Sequence, residues 1–234
     1  MSIADNIARI RDRLASVAAS AGRNPDDITF MAVSKTFPAE SIRGAYQAGI
    51  RVFGENRVQE FGGKAETLRD LDDARWHMIG HLQSNKASKA TELFHAIDSV
   101  DSLRLAERLH DAAKAANKQL DVLIEVNVGG EDAKSGVAPD SPELEHILEA
   151  SSRLNHLRIR GLMTIPPFTE DPQGARPYFR KLREVRDAIR DRGLPAVDMD
   201  ILSMGMSHDF EVAIEEGSTC VRVGTAIFGS RARP

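Results

Sequence analysis

Apolar residues recur at steps of three and four along the first segment of the chain. They lie at Ile3, Ile7, Ile10, Leu14 and Val17. This spacing places them on one face of an amphipathic helix, and Gly22 indicates where that helix ends. The pattern therefore predicts a helix that packs one face against the rest of the protein.

After this helix, short apolar runs alternate with longer amphipathic segments. The runs fall at 28–33, 51–53, 76–79, 96–100, 122–126, 159–163, 199–202 and 220–223. Helical spacing marks segments between them, such as 101–116 and 178–192, and Gly193 follows the second. Strands that alternate with helices predict a mostly parallel sheet with right-handed crossovers.

Eight predicted strands in a chain of 234 residues match a (β/α)8 TIM barrel. Few residues follow the eighth strand, so we expect the extra N-terminal helix to fill the last place in the outer ring. An open doubly wound sheet would instead require a glycine fingerprint after the first strand, which "VSKTFPAE" lacks. No linker rich in Pro, Gly or Ser divides the chain, so residues 1–234 are expected to form one domain.

The composition is that of an ordinary globular protein, with 41% hydrophobic and 28% charged residues. Cys220 is the only cysteine, so no internal disulfide can form and a reducing compartment is expected. A net charge of -4 argues against nucleic acid as the main partner. No apolar run approaches a membrane span, and the first residues lack the apolar core of a signal peptide. We therefore expect a cytoplasmic protein.

Two loops near the end of the chain carry candidate phosphate-binding residues. In such barrels phosphate binds at the loops after strands seven and eight. These loops supply hydroxyls at Ser203, Ser207 and Thr225 and allow close backbone approach at Gly205 and Gly224. A helix start in the second loop would add N–H groups that attract an anion. Turn and capping roles explain the same residues, since Ser207 is a suitable N-cap, so the loops alone leave both interpretations open.

Lys35 follows the first apolar run at the point where a buried strand meets its loop. A lysine there can extend to solvent, or a partly desolvated site can lower its pKa so that the amine attacks an aldehyde. An amine and a phosphate site at one barrel mouth fit pyridoxal phosphate. Arg222 would then face the pyridine nitrogen and leave it unprotonated, or it could pair with a carboxylate such as Glu125.

Blocks along residues 30 to 229 together resemble the pyridoxal phosphate homeostasis protein family. They read "AVSKTFP", "FGENRVQE", "WHMIGHLQSNK", "GLMTIPP" and "LSMGMSHDFEVAIEEGSTCVRVGTAIFG". The resemblance implies a barrel like the N-terminal domain of alanine racemase. It also implies that Lys35 forms an aldimine with pyridoxal 5'-phosphate and that Arg222 faces the pyridine nitrogen. The resemblance further implies phosphate contacts at Ser203, Ser207, Gly224 and Thr225, and positions near the cofactor at Asn56 and His81.

The same resemblance implies a carrier and buffer for this vitamin B6 cofactor, without established catalysis. A small racemase is the alternative, but alanine racemase also carries a second domain, for which we expect no counterpart in this protein. Tyr46 and Tyr178, the only tyrosines, fall in predicted outer helices. A cofactor-free aldolase is disfavoured, because its lysine more commonly lies on a middle strand. We expect a monomer whose partners are pyridoxal phosphate and the apo-enzymes that use it.

Overall fold

The computed structural model describes residues 2–131 and 135–229. In it, eight parallel strands form one closed barrel and follow one another around it in chain order. The strands are β1 (Thr29–Val33), β2 (Val52–Glu55), β3 (Arg75–Met78), β4 (Ala96–Val100), β5 (Leu120–Glu125), β6 (Leu157–Met163), β7 (Val197–Met206) and β8 (Cys220–Val223). Pairing of β1 with β8, where Thr29 lies opposite Cys220, closes the ring. The predicted TIM barrel is therefore confirmed.

Helices surround this barrel and connect its strands. They are α1 (Ile3–Ser20), α2 (Ala39–Gln47), α3 (Val58–Ala65), α4 (Ala87–Leu93), α5 (Leu103–Ala115), α6 (Pro142–Ala150), α7 (Arg176–Arg190), α8 (Phe210–Glu215) and α9 (Thr225–Phe228). Short 3-10 turns occur at Pro25–Asp27, Glu66–Leu68, Ser84–Lys86 and Pro172–Ala175. A bilayer-spanning helix would need a longer apolar stretch than any helix within the described residues provides.

The N-terminal helix α1 completes the outer ring, as predicted. Ser2 and Asp5 form a capping box that fixes its start. Its apolar face packs against α2, α8 and α9. The side-chain amide of Asn6 donates to the carbonyl of Ile227 at 2.9 Å. Because α8 and α9 are short, α1 supplies apolar cover for this side of the barrel.

Apolar side chains fill two regions, one outside and one inside the barrel. The larger region lies between the strands and the helices, where each helix buries its apolar face. Inside the barrel a smaller cluster contains Met31, Val33, Ile79 and Cys220. Gly54 lies beside it, since a Cβ there would be 2.9 Å from both Met31 and Ile79. Buried polar side chains such as Asp98, Glu125 and Arg222 lie at the two ends of the interior, where the sites described below are found.

Strand β7 is longer than its apolar run suggested, with ten residues rather than the predicted 199–202. Its first half alternates apolar residues with Asp198 and Asp200, so the run is interrupted. These carboxylates pair with arginines of β6: Arg160 lies 3.2 Å from Asp198, and Arg158 lies 3.4 Å from it. These ion pairs accompany the extension of β7 at its start, residues 197–198. At its other end β7 continues through residues 203–206, which the sequence assigned to the loop after the strand.

Candidate functional site

A cavity of about 240 Å³ opens at the carboxyl-terminal mouth of the barrel. The residues that line it are Val33, Lys35, Asn56, Ile79, Ile165, Met206, Ser207, His208, Arg222, Gly224 and Thr225. They come from the ends of β1, β2, β3, β6, β7 and β8. Six of the predicted site residues are thus brought together here, and Ser203, Gly205 and His81 lie outside the lining.

Lys35 is half-buried at this mouth, two residues beyond the end of β1. The next residue, Thr36, adopts a φ of 68°, a left-handed conformation that is strained for a β-branched side chain. Its backbone N–H donates to Glu60 at 2.6 Å. The chain therefore turns sharply directly after Lys35, and the surrounding contacts hold that turn.

A buried group of charged side chains supports the Lys35 loop from below. Glu55 is fully buried and accepts a hydrogen bond from the Ser34 hydroxyl at 2.7 Å. Lys64 lies 3.0 Å from Glu55 and also donates to the carbonyls of Ser34 and Phe37, each at 3.2 Å. Burial raises the pKa of Glu55, and Lys64 opposes that rise. These contacts fix both ends of the turn that carries Lys35.

The loops after β7 and β8 are joined by Ser207. Its Oγ accepts hydrogen bonds from the backbone N–H groups of Gly224, at 3.3 Å, and Ala226, at 3.4 Å. The alternative role of Ser207 as the N-cap of α8 is not observed, because Asp209 occupies that position. Asp209 accepts from the backbone N–H of Met206 at 2.6 Å and closes the turn around Ser207. Ser207 thus lies at the start of α9, within the cavity lining.

Gly205 lies behind this wall rather than in it. Its φ is 95°, and an added Cβ would be 2.5 Å from the Cβ of Ala213 and 3.0 Å from the Cα of Phe210. No other residue fits there without moving α8. Gly205 therefore allows the close approach of α8 to the end of β7, while Gly224 and Thr225 face the cavity.

Arg222 is a buried guanidinium that reaches the cavity from β8, with 3% exposure. It donates to the Ser203 hydroxyl at 2.7 Å and to the carbonyl of Thr164 at 2.7 Å. Burial lowers the pKa of Arg222, but a guanidinium stays charged in proteins. Ser203 therefore orients Arg222 and does not itself line the cavity.

Glu125 is a buried carboxyl group at the end of β5, with 6% exposure. Its Oε2 has no hydrogen-bond partner among the described residues. Burial and the nearby Asp101 raise the pKa of Glu125 to about 7, and Arg222 and His81 oppose that rise. The charge of Arg222 therefore attracts the Glu125 carboxylate, but the two side chains do not form the hydrogen-bonded pair that the sequence left open.

Asn56 and His81 lie in different surroundings. Asn56 lines the cavity, and Gly80 packs directly beneath it, since a Cβ on Gly80 would be 2.5 Å from the Asn56 carbonyl oxygen. The His81 side chain is 56% exposed, and its Nδ1 lies 3.0 Å from Asp101. His81 is therefore a residue of the outer rim, next to Asp101, the carboxylate that lies near Glu125.

Sequence reasoning missed several residues that line the cavity, above all Met206 and His208. Nε2 of His208 lies 3.1 Å from the carbonyls of Thr169 and Glu170. Carbonyls only accept, so Nε2 carries the proton and Nδ1 is left without one in the neutral ring. The position of His208 beside Ser207 was the available signal, but only the turn closed by Asp209 directs it to the mouth.

The Ser203 hydroxyl gives a test of how Arg222 is held. Ser203→Ala removes a hydrogen bond to a buried cation, so the free energy of unfolding should fall by about 2 kcal/mol. The matched control is Ser218→Ala. Ser218 is also fully buried, but it donates only to backbone carbonyls, such as Met204 at 2.8 Å. Its loss should cost about 1 kcal/mol. Urea unfolding measures both, and equal losses would contradict this role for Ser203.

Comparison with known proteins identifies relatives along nearly the whole chain. The family described as alanine racemase, N-terminal domain, matches residues 4–232. The pyridoxal phosphate homeostasis protein of Aquifex aeolicus is 47% identical and covers 99% of both chains. The protein of that name from Pseudomonas aeruginosa is 46% identical over 98% of this chain and 96% of its own.

Solved structures resemble the barrel closely. PipY of Synechococcus elongatus, whose structure has pyridoxal phosphate bound, is 41% identical with a TM-score of 0.83. It covers 94% of this chain and 100% of its own. An alanine racemase of Clostridium difficile covers 98% of this chain and 58% of its own, with a TM-score of 0.71. At 16% identity, this second likeness concerns the fold alone.

Proposed function

Because the chain belongs to the pyridoxal phosphate homeostasis protein family, we propose that it binds pyridoxal phosphate covalently through Lys35 and acts as a carrier and buffer of that cofactor. The observation that carries the proposal is the composition of one cavity. It is lined together by Lys35, Arg222 and the loop of residues 207–209, here called the Ser207 loop, which come from distant parts of the sequence. The bound-cofactor structure of PipY supports the same choice of ligand.

The donor groups of this cavity match the three polar parts of pyridoxal phosphate. Lys35 offers an amine for the aldehyde, and the Ser207, Gly224 and Thr225 segment offers hydroxyl and N–H groups for the phosphate. Arg222 can only donate, so a ring nitrogen that it contacts accepts a hydrogen bond and carries no proton. Bound pyridoxal phosphate supplies an electrophilic aldehyde and a ring that withdraws electrons strongly only when its nitrogen is protonated.

These features favour storage of the cofactor over fast catalysis. Arg222 keeps the ring a weak electron acceptor, and the buried Ser203 fixes Arg222 in place. Neither tyrosine lines the cavity: Tyr46 contacts Asp73 through its hydroxyl, and Tyr178 lies on α7. The apo-enzymes that use pyridoxal phosphate are the proposed recipients, and the protein is proposed to work as a cytoplasmic monomer.

Covalent binding of the cofactor can be tested directly. Purified protein mixed with pyridoxal phosphate should gain a visible absorption band, and borohydride should fix one cofactor to each chain. Mass spectrometry of the intact protein measures that adduct. A protein that gains neither the band nor the added mass would contradict the proposal. Pyridoxal without the phosphate serves as the comparison ligand, and it should bind more weakly because it lacks the anion that the Ser207 loop would hold.

A small amino-acid racemase is the second candidate, and His208 is the observation that favours it. His208 lines the cavity, and its Nδ1 has no hydrogen-bond partner among the described residues. Such a nitrogen can accept a proton from an amino-acid α-carbon. The loaded protein should be incubated with single amino-acid enantiomers in deuterated water. We expect little exchange of the α-proton, and rapid exchange that His208→Gln abolishes would favour the racemase.

A further inference from the structure

A second cavity opens at the opposite, amino-terminal end of the barrel. Its volume is about 340 Å³, within the range of roughly 300–1,000 Å³ that small-molecule sites occupy. It shares no lining residue with the proposed cofactor cavity. Val52, Leu123 and Ile201 form part of an apolar wall. Seven of the thirteen lining residues carry polar or charged side chains, so the cavity combines this apolar wall with groups that can bind a polar ligand.

A histidine and a buried aspartate form the first polar element of this cavity. His77 Nδ1 lies 3.0 and 3.2 Å from the two carboxylate oxygens of Asp98, which is 1% exposed. A carboxylate only accepts, so Nδ1 carries the proton, and in the neutral ring Nε2 is a hydrogen-bond acceptor. Burial opposes a charged ring, but the Asp98 carboxylate raises the pKa of His77 above its ordinary value. The pair therefore holds a polarised imidazole at the cavity.

His95 supplies a second nitrogen with a fixed proton. Its Nδ1 accepts a hydrogen bond from the backbone N–H of Trp76 at 3.0 Å. The proton of the neutral ring must therefore lie on Nε2, which is a donor. Burial, together with the positive charge of Arg75, lowers the pKa of His95 to about 4. His95 is thus a neutral donor at physiological pH.

Arg75 supplies a cation that is not paired with a carboxylate among the described residues. It lines the cavity and is exposed, and within residues 2–131 and 135–229 its guanidinium has no ion-pair or hydrogen-bond partner. Asp121, the other carboxylate of the lining, is already paired: Arg160 lies 3.4 Å from it and Arg158 lies 4.0 Å from it. Arg158 and Arg160 also face Asp198 and Asp200. Arg75 is therefore the arginine of the lining that keeps no carboxylate partner among the described residues.

We propose that the amino-terminal cavity is a second ligand site, separate from the cofactor site, which binds a small organic anion. Arg75 and the Nε2–H of His95 would donate to a carboxylate head, and the apolar wall would contact a short aliphatic body. Because this proposal does not depend on pyridoxal phosphate, it can be examined in the full-length protein before any cofactor is added.

Histidine NMR can detect this binding directly. Isobutyrate is the probe, and the ring resonances of His77 and His95 should shift and saturate as it is added, up to about 10 mM. Resonances of His110 and His156, outside the cavity lining, should stay in place. The neutral amide isobutyramide has the same shape without the charge, so it should produce no saturable shift. No saturable shift with isobutyrate, or equal shifts with both compounds, would overturn the proposal.

Arg75→Gln provides the matched variant, since Arg75 is exposed and its replacement leaves the buried pair of His77 and Asp98 intact. Loss of a charge-assisted hydrogen bond should weaken isobutyrate about tenfold or more. Arg104→Gln changes an exposed arginine of α5 outside the cavity, and it should bind as the wild type does. Equal affinity in both variants would show that Arg75 does not bind the anion.

Discussion

Lys35→Ala should reduce the borohydride-fixed adduct from one cofactor per chain to background. Lys35 is the only amine that lines the cavity within the described residues, so its removal leaves no nucleophile there for an aldehyde. The Ser207 loop and Arg222 remain in place, so the variant should still bind pyridoxal phosphate without a covalent bond, and more weakly. Intact-mass measurement after reduction separates the covalent from the non-covalent fraction.

Lys89→Ala is the matched control for this variant. Lys89 is an exposed lysine of α4 that pairs with Glu92 at 2.7 Å. Its removal should leave the adduct and the absorption band at the wild-type level. An adduct of undiminished size in Lys35→Ala would place the covalent bond elsewhere. That result would overturn the role of Lys35 while leaving the cavity as a phosphate site.

Glu125→Gln should make the cofactor-free protein more stable at pH 8 while changing little at pH 5. The pKa of Glu125 rises from its ordinary 4.5 to about 7, mainly through burial. A group whose pKa is raised in the folded state stabilises that state at low pH, and the contribution is lost as pH rises through the folded value. Between pH 5 and pH 8 the free energy of unfolding of the wild type should therefore fall by about 2 to 3 kcal/mol, and that of the glutamine variant should not.

Burial and three nearby charged or titratable groups set the size of this pKa shift. Burial and Asp101 oppose the ionised form of Glu125, while Arg222 and His81 favour it. Urea unfolding at the two pH values measures the difference. Glu216→Gln is the control of opposite sign, since the pKa of Glu216 is lowered: burial raises it, but Arg180 and Arg176 outweigh burial. That variant should lose stability at both pH values. Equal pH dependence in the wild type and Glu125→Gln would show that Glu125 stays ionised.

Local sequence patterns predicted the architecture well because they reflect local constraints. Alternating apolar runs and amphipathic segments identified eight strands and the crossover helices, and β4 and β8 have the predicted bounds. Boundaries failed at both ends of β7: Asp198 pairs with Arg160 only after β6 lies alongside, and residues 203–206 continue the strand although the sequence assigned them to a loop. Periodicity within one segment holds no information about such a partner.

The candidate site was predictable in part. Lys35, Asn56, Ser207, Arg222, Gly224 and Thr225 line one cavity, but which further residues join them depends on the register of the barrel. The pairing of β7 with β8 shifts between Ser203 and Met206. Such an irregularity changes which side chains face inward, so Ser203 supports Arg222 while Met206 reaches the cavity.

By itself, the sequence determined the barrel, the amine at the end of its first strand and the hydroxyl and glycine residues of its last two loops. These follow from period, strand count and strand ends, which are properties of single segments. Only the tertiary structure decided that Ser207 bonds across to Gly224 and that Glu125 holds a raised pKa. It also placed Arg75, His77 and His95 around a second cavity. These three features depend on burial, or on contacts between segments that are far apart in the chain. Such contacts form only when the barrel closes.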